Sequence, residues 1–466
     1  METAPPVLAA DPGKALPAIE RPALAVPPRP DRPLGPVTFL RTVMSDTLSV
    51  CDERVYEEPI VVRRLAGFPV VFVSEPAAVR RILVETPENY PRLGLIRRLY
   101  AAEIGTGTLA SMGEVWERHR RVGAPSVDRR AIAGDLPHLI RMAEAAADDL
   151  AAAVGTGPVD IEKHVTRLFT AMLNQVFTGS DPRGLPVIAW LARVPRNPRL
   201  LDLVPLPDRI ADLVSPTRRT PERAAGREGL IRLVRERLDP AYAGPRDMIW
   251  RIAHGLDRRT GRGLAVEEIR DEAATLATAG DATIRGLTWL FYLLALHPQV
   301  EARLHAELDA VLGAAPLRPE QLGRLPYTRR VVDEALRLYP PIPMIVRSVR
   351  RSDTVLGHRI PRGAVLFVAP FVIHRHRTLW RDPDSFDPDR FAPEESAGRS
   401  RYAYLPFSAG PRICTGAQLA LTEIMLVAAT FARRYRFRLD PGRTVVPRGR
   451  VSLRPRGGLW VTVERR

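Results

Sequence analysis

The densest concentration of chemistry-bearing residues is Pro406-Phe407-Ser408-Ala409-Gly410-Pro411-Arg412-Ile413-Cys414-Thr415-Gly416, just ahead of the helical pattern Ala417–Phe431. At that place free backbone N–H groups and the positive end of the helix dipole favour thiolate over thiol, so Cys414 is the candidate metal ligand. Gly410 and Gly416 carry no Cβ, so the backbone there can pass close to a flat macrocycle and take special dihedrals. Arg412 offers a bidentate fork to a carboxylate, and Phe407 can pack against the thiolate side. A buried cysteine that merely precedes a helix would account for none of these neighbours. The one other cysteine, Cys51, lies in Ser49-Val50-Cys51-Asp52 with no motif around it and reads as a structural thiol.

Phe407, Gly410, Arg412, Cys414 and Gly416 together resemble the F-x-x-G-x-R-x-C-x-G signature of the cytochrome P-450 family at every fixed position. The resemblance covers roughly residues 37–466 and implies a mainly α fold with small β-sheets (α+β), one large domain with a long central helix over the cofactor. It implies heme b with Cys414 as the iron ligand, and a reaction that inserts one atom of dioxygen into an apolar small molecule. Trp116 and Arg120, in Trp116-Glu117-Arg118-His119-Arg120, resemble the family's W-x-x-x-R. Four residues apart, they share a helix face, and both can donate to a heme propionate. Arg347 and Arg412 resemble further propionate ligands. Glu334-Ala335-Leu336-Arg337 resembles the family's E-x-x-R, which with Arg390 implies a buried charge network beneath the Cys loop rather than a catalytic role.

Ala279-Gly280-Asp281-Ala282-Thr283 resembles the oxygen-binding A/G-G-x-D/E-T. There Gly280 would make room over the iron, and the Thr283 hydroxyl would assist proton delivery. The chain departs from the pattern at the acid, which is Ala282, and Ile284 follows the threonine. Asp281 stands next door, but one residue turns a side chain by about 100° on a helix. An i,i+4 ion pair with Arg285 is the sober reading of Asp281; a substitute proton relay is the other. Pro125-Ser126-Val127 stands where many relatives have P-x-F. The resemblance implies that the segments 91–111, 180–215, 275–283, 343–346 and the neighbourhood of 451–453 line the substrate pocket. Loss of the acid leaves open a peroxide-using or rearranging member, and a heme-binding protein without turnover is the competitor from another class.

Around these residues the pattern is helical for most of the chain. Ala131–Val154, Val159–Phe177 and Glu222–Leu238 read as helices, and Val266–Leu296 as one long helix whose nearly all-apolar body must be buried. Pro59–Arg64 and Phe68–Ser74 read as a hairpin, followed by a helix over Pro76–Glu85. Strand-like pieces return at Val346–Arg350, Thr354–Ile360, Val365–Ala369 and Leu459–Val463. Residues 1–36 carry ten prolines and read as an extended or disordered arm ahead of a single domain over 37–466. No stretch approaches the run of about 18 apolar residues of a membrane span, and the start lacks a secretory signal's pattern, so no anchor and a cytoplasmic setting are expected.

The formal net charge is +16, and Lys14 and Lys163 are the only lysines. The arginines are scattered, without a dense basic run interleaved with aromatics, which argues against nucleic acid. A basic face would instead suit an acidic ferredoxin. With its reductase, that partner would relay electrons from NAD(P)H.

Overall fold

The computed structural model describes residues 22–94, 100, 103–192 and 221–466. Eight of the helices among the described residues frame the molecule. They are α1 (Pro36–Ser45), α2 (Gly113–Gly123), α3 (Arg129–Leu150), α4 (Ile161–Thr178), α5 (Val266–Thr278), α6 (Gly280–Leu296), α7 (Pro326–Leu338) and α8 (Ala417–Arg434). Their ends are written in the sequence. Asp128 accepts from the N–H groups of Arg130 and Ala131 to start α3, and Asp160 caps α4. Gly179 closes α4 with φ +67°, the left-handed turn that glycine adopts without strain.

Among the described residues eleven short strands follow chain order: β1 (Ile60–Leu65), β2 (Phe68–Val73), β3 (Val159–Asp160), β4 (Ile345–Ser348), β5 (Asp353–Val355), β6 (His358–Ile360), β7 (Val365–Val368), β8 (Tyr435–Leu439), β9 (Pro447–Gly449), β10 (Leu453–Pro455) and β11 (Trp460–Arg465). The largest sheet has the order β1-β2-β7-β4, with β2 and β7 parallel and the other pairs antiparallel. β3-β11-β8 forms a second sheet, and β5–β6 and β9–β10 are separate hairpins.

Three expectations change in detail. The stretch Val266–Leu296 is not one helix but two, α5 and α6, broken at Ala279. There the Ala279 N–H turns to Leu276 O at 3.3 Å and the Ala282 N–H to Ala279 O at 3.2 Å, a tighter pattern than the α ladder. Gly280, one of the two glycines of the run, opens the second segment. Val159 and Asp160 belong to β3 rather than to α4, because they pair with Val461 and Trp460 of β11. Thr354–Ile360 is a hairpin folded at Leu356-Gly357, where both residues have positive φ.

Residues 22–35 of the proline-rich stretch form no helix or strand, and they are docked on the body. Ala25 donates its N–H to the Tyr292 hydroxyl at 2.9 Å and accepts from the Tyr339 hydroxyl at 2.7 Å. Tyr339 in turn stacks on Trp289 at 4.1 Å, in the centre of the core. Arg29 lies over the Tyr56 ring and pairs with Asp384. Residues 1–21 lie outside the described residues.

α7 ends in a network without an unused donor on its arginine. Arg337 gives Nε and Nη2 to the two oxygens of Glu334 at 2.6 and 2.8 Å. Its other bonds reach the carbonyls of His374, Pro383 and Ser385 at 2.6, 2.7 and 2.9 Å. Arg390 approaches Glu334 at 3.4 Å. His374 then accepts the Leu405 N–H at 2.7 Å, which fixes the backbone just ahead of the Cys loop.

Candidate heme-thiolate site

The Cys loop is shaped by its own backbone before any partner is considered. The Cys414 N–H donates to Phe407 O at 2.9 Å and Ile413 N–H to Gly410 O at 3.0 Å, so the cysteine closes a tight loop onto the phenylalanine. Gly410 has φ +73°, and a Cβ there would lie 1.9 Å from Leu83 O. The close approach it permits is therefore to the backbone of Leu83, not to the open side of the loop. Gly416 has free space around it. Phe407 is half-buried against the main core.

Cys414 is exposed, while Cys51 is fully buried. The two thiols differ in chemistry as well as in access. Burial pushes the Cys51 thiol up to about 12, leaving it inert. Crowding also raises the Cys414 thiol, but the Gly416 N–H and the Arg120 charge act in the opposite direction. Of the two, only Cys414 is open to a metal.

Four arginines converge beside it. Arg120 of α2 donates to the Thr415 hydroxyl, next to the cysteine. Arg412 donates to Thr108 O and Ser111 O at 3.1 and 3.0 Å and lies 4.0 Å over the Trp116 ring. Arg347 on β4 is 6% exposed and forms an isolated bridge with Arg92. Burial, reinforced by the neighbouring guanidiniums, lowers Arg92 and Arg347 to about 10 and Arg412 to about 9. Arg120 moves in the same direction for the same main reason. Among the described residues no carboxylate forms a salt bridge with any of the four. Buried cations without counter-charge are costly, so this region is built to receive an anion. Arg92 escaped sequence reasoning: in an arginine-rich chain, only its bridge to Arg347 distinguishes it.

The break between α5 and α6 carries the other candidate residues. Thr283 is buried, Ala282 half-buried and Ala279 exposed. The side of Gly280 where a Cβ would project faces Leu173 of α4, 3.3 Å away, so the room it leaves lies toward α4. Asp281 accepts from Arg285 at 2.7 and 3.2 Å and from the Ser452 hydroxyl at 2.9 Å. Arg285 also holds Glu162. Two residues amount to about 200° on a helix, which puts Asp281 opposite Thr283. The i,i+4 ion pair is the arrangement found.

A protein-family model described as cytochrome P450 matches residues 34–459. The chain belongs to the cytochrome P450 family. Cyclooctatin synthase of Streptomyces melanosporofaciens is 31% identical over 401 residues, covering 84% of this chain and 86% of that one. Probable cytochrome P450 4aa1 of Drosophila melanogaster is 29% identical over 420 residues, covering 86% and 81%. Among solved structures, the heme domain of cytochrome P450DA has a TM-score of 0.75 at 23% identity, covering 88% of this chain and 90% of that one. A cytochrome P450 has the mainly α fold with small sheets seen here, carries heme on a cysteine thiolate, and is an oxidoreductase of the monooxygenase class. The residues present fit that cofactor: one accessible cysteine beside a cluster of buried guanidiniums suits a metal macrocycle with two carboxylates. No described helix is long and apolar enough to cross a membrane.

Proposed function

We propose that this cytochrome P450 hydroxylates or otherwise oxygenates an apolar small molecule, with Cys414 as the iron ligand and with Trp116, Arg92, Arg120, Arg347 and Arg412 around the heme b propionates. The observation that carries this reading is the convergence of four uncompensated guanidiniums on the loop of the one open cysteine. The bound heme supplies activation of dioxygen and transfer of one oxygen atom to the substrate. The chain's own part is to hold, orient and protonate. Phe407 and the backbone of Gly410 hold the cysteine loop in shape. The Gly416 N–H and Arg120 favour its thiolate. Thr283, in the first turn of α6, would supply the hydroxyl that passes a proton on, and Gly280 would serve by loosening the helix there. Asp281, tied to Arg285 and Ser452, is not its proton source.

Electrons come in this proposal from NAD(P)H through a separate reductase and an acidic ferredoxin, which the formal charge of +16 would attract. Electron transfer should then slow steeply as salt rises, and a rate indifferent to ionic strength would remove the ferredoxin from the reading. A cytoplasmic setting and a single catalytic unit over 37–466, with the arm as an appendage, belong to the same proposal.

The deciding experiment is the absorption spectrum of the purified protein, reduced under carbon monoxide, beside a Cys414→Ala control. A strongly red-shifted Soret band that vanishes in the control is expected; bound heme without that band would refute the thiolate assignment. One observation favours a second reading: Ala282 brings no acid, and the neighbouring Asp281 is engaged elsewhere. Turnover with hydrogen peroxide that outpaces turnover with ferredoxin, reductase and NAD(P)H would select a peroxygenase.

A further inference from the structure

The loop Gly105–Ser111 lies between two sets of charged groups. On one side it rests on α5. The N–H and hydroxyl of Thr106 donate to Asp271 at 2.8 and 3.1 Å, and those of Thr108 donate to Glu272, both at 2.9 Å. The contact is flush: a Cβ on Gly105 or Gly107 would lie 2.0 Å from Asp271 Oδ2 or Thr275 Oγ1. Both carboxylates are buried and fixed from behind, Asp271 by Arg270 and Glu272 by His119 of α2 at 3.3 Å.

The other side of the same loop faces the guanidiniums. Arg92 donates to Leu109 O at 2.7 Å, and Arg412 to Thr108 O and Ser111 O. Arg347 is bridged to Arg92, and Arg120 follows His119 on α2. Arg92 and Arg412 are thus held, through the loop, by two adjacent carboxylates that touch none of the proposed reacting groups, and Arg347 is one backbone bridge further on.

We infer that Asp271 and Glu272 are positioning residues of the anion site, acting through the loop Gly105–Ser111 to aim the arginines at the heme carboxylates. The inference rests on the heme reading above. Two adjacent carboxylates of α5 fix the loop N–H groups, the loop carbonyls fix the forks of Arg92 and Arg412, and the forks meet the ligand. Partners of this kind, one shell removed from a cofactor, commonly govern its affinity by about tenfold or more.

The test uses the heme-loaded protein with Glu272→Gln, Thr108→Val and, as a control, Asp247→Asn, which weakens a buried pair with Arg237 away from this loop. Heme transfer to apomyoglobin should accelerate about tenfold in E272Q and severalfold in T108V. The iron reduction potential should fall in both, because less well neutralised carboxylates favour the ferric state. D247N should lower the melting temperature and move neither quantity. Parental heme loss and potential in E272Q and T108V would overturn the inference, with T108V alone decisive should E272Q fail to fold. A parent without the shifted carbon monoxide band would overturn the heme reading itself, a different and separately visible result.

Discussion

Glu423 sits in the run Leu421–Ala432 of α8, which is buried throughout, and burial alone raises its carboxyl from 4.5 to about 8. The folded protein therefore holds a proton there that the unfolded chain releases near its ordinary value. Such a group stabilises the fold relatively best below pH 4.5 and loses that contribution as pH rises toward 8. Each pH unit in that window corresponds to about 1.4 kcal/mol, so the full span approaches about 5 kcal/mol. Glu423→Gln keeps the shape and removes the titration. Urea unfolding of parent and variant at pH 5.5, 6.5 and 7.5 isolates the effect, since every other carboxylate is common to both. The variant should gain on the parent by about 1.4 kcal/mol for each step. Parallel pH profiles would show that Glu423 is ionised in the folded state and that its burial has been misjudged.

Three further outcomes follow from the same structure. Glu334→Ala strands Arg337, which is fully buried, and should cost about 3–5 kcal/mol in urea unfolding; an unmoved midpoint would contradict the network. Thr283→Ala should raise severalfold the share of consumed dioxygen released as hydrogen peroxide, while Asp281→Asn should leave that share unchanged and lower stability by about 1–3 kcal/mol. The opposite ranking would make Asp281 the relay. Arg412→Leu removes the arginine lowered most among the propionate candidates, so heme should dissociate about tenfold faster; an unchanged transfer rate to apomyoglobin would show that Arg412 serves the loop alone.

The sequence made most of the Cys loop legible because its chemistry is local: Phe407, Gly410, Arg412 and Cys414 lie within eight positions, and a backbone bond joins Cys414 to Phe407. Trp116 and Arg120 stand out by their resemblance to W-x-x-x-R, and both lie on α2. Arg92 does not, because its meaning comes from a bridge to a residue 255 positions away, and periodicity carries no such information. The break at Ala279 was hidden for a related reason. The apolar pattern of Val266–Leu296 is continuous, and a local change in hydrogen bonding leaves hydrophobic periodicity untouched. The Gly410 motif was legible while its contact was not: a glycine signals close approach but not the approaching atom, which here is the Leu83 carbonyl.

The arm has a consequence for how the chain is made. Ala25 docks on hydroxyls that lie 267 and 314 residues later in the sequence. On the ribosome it is made well before its acceptor and donor, which emerge 267 and 314 residues later. At elongation rates of about 5–20 residues per second, the arm waits on the order of tens of seconds in the nascent chain. Its prolines suit that interval, since they keep the segment extended and unable to build competing helix or sheet. A segment made early thus waits for partners made late, and its place beside Trp289 and Tyr339 opens only once both residues are in the chain.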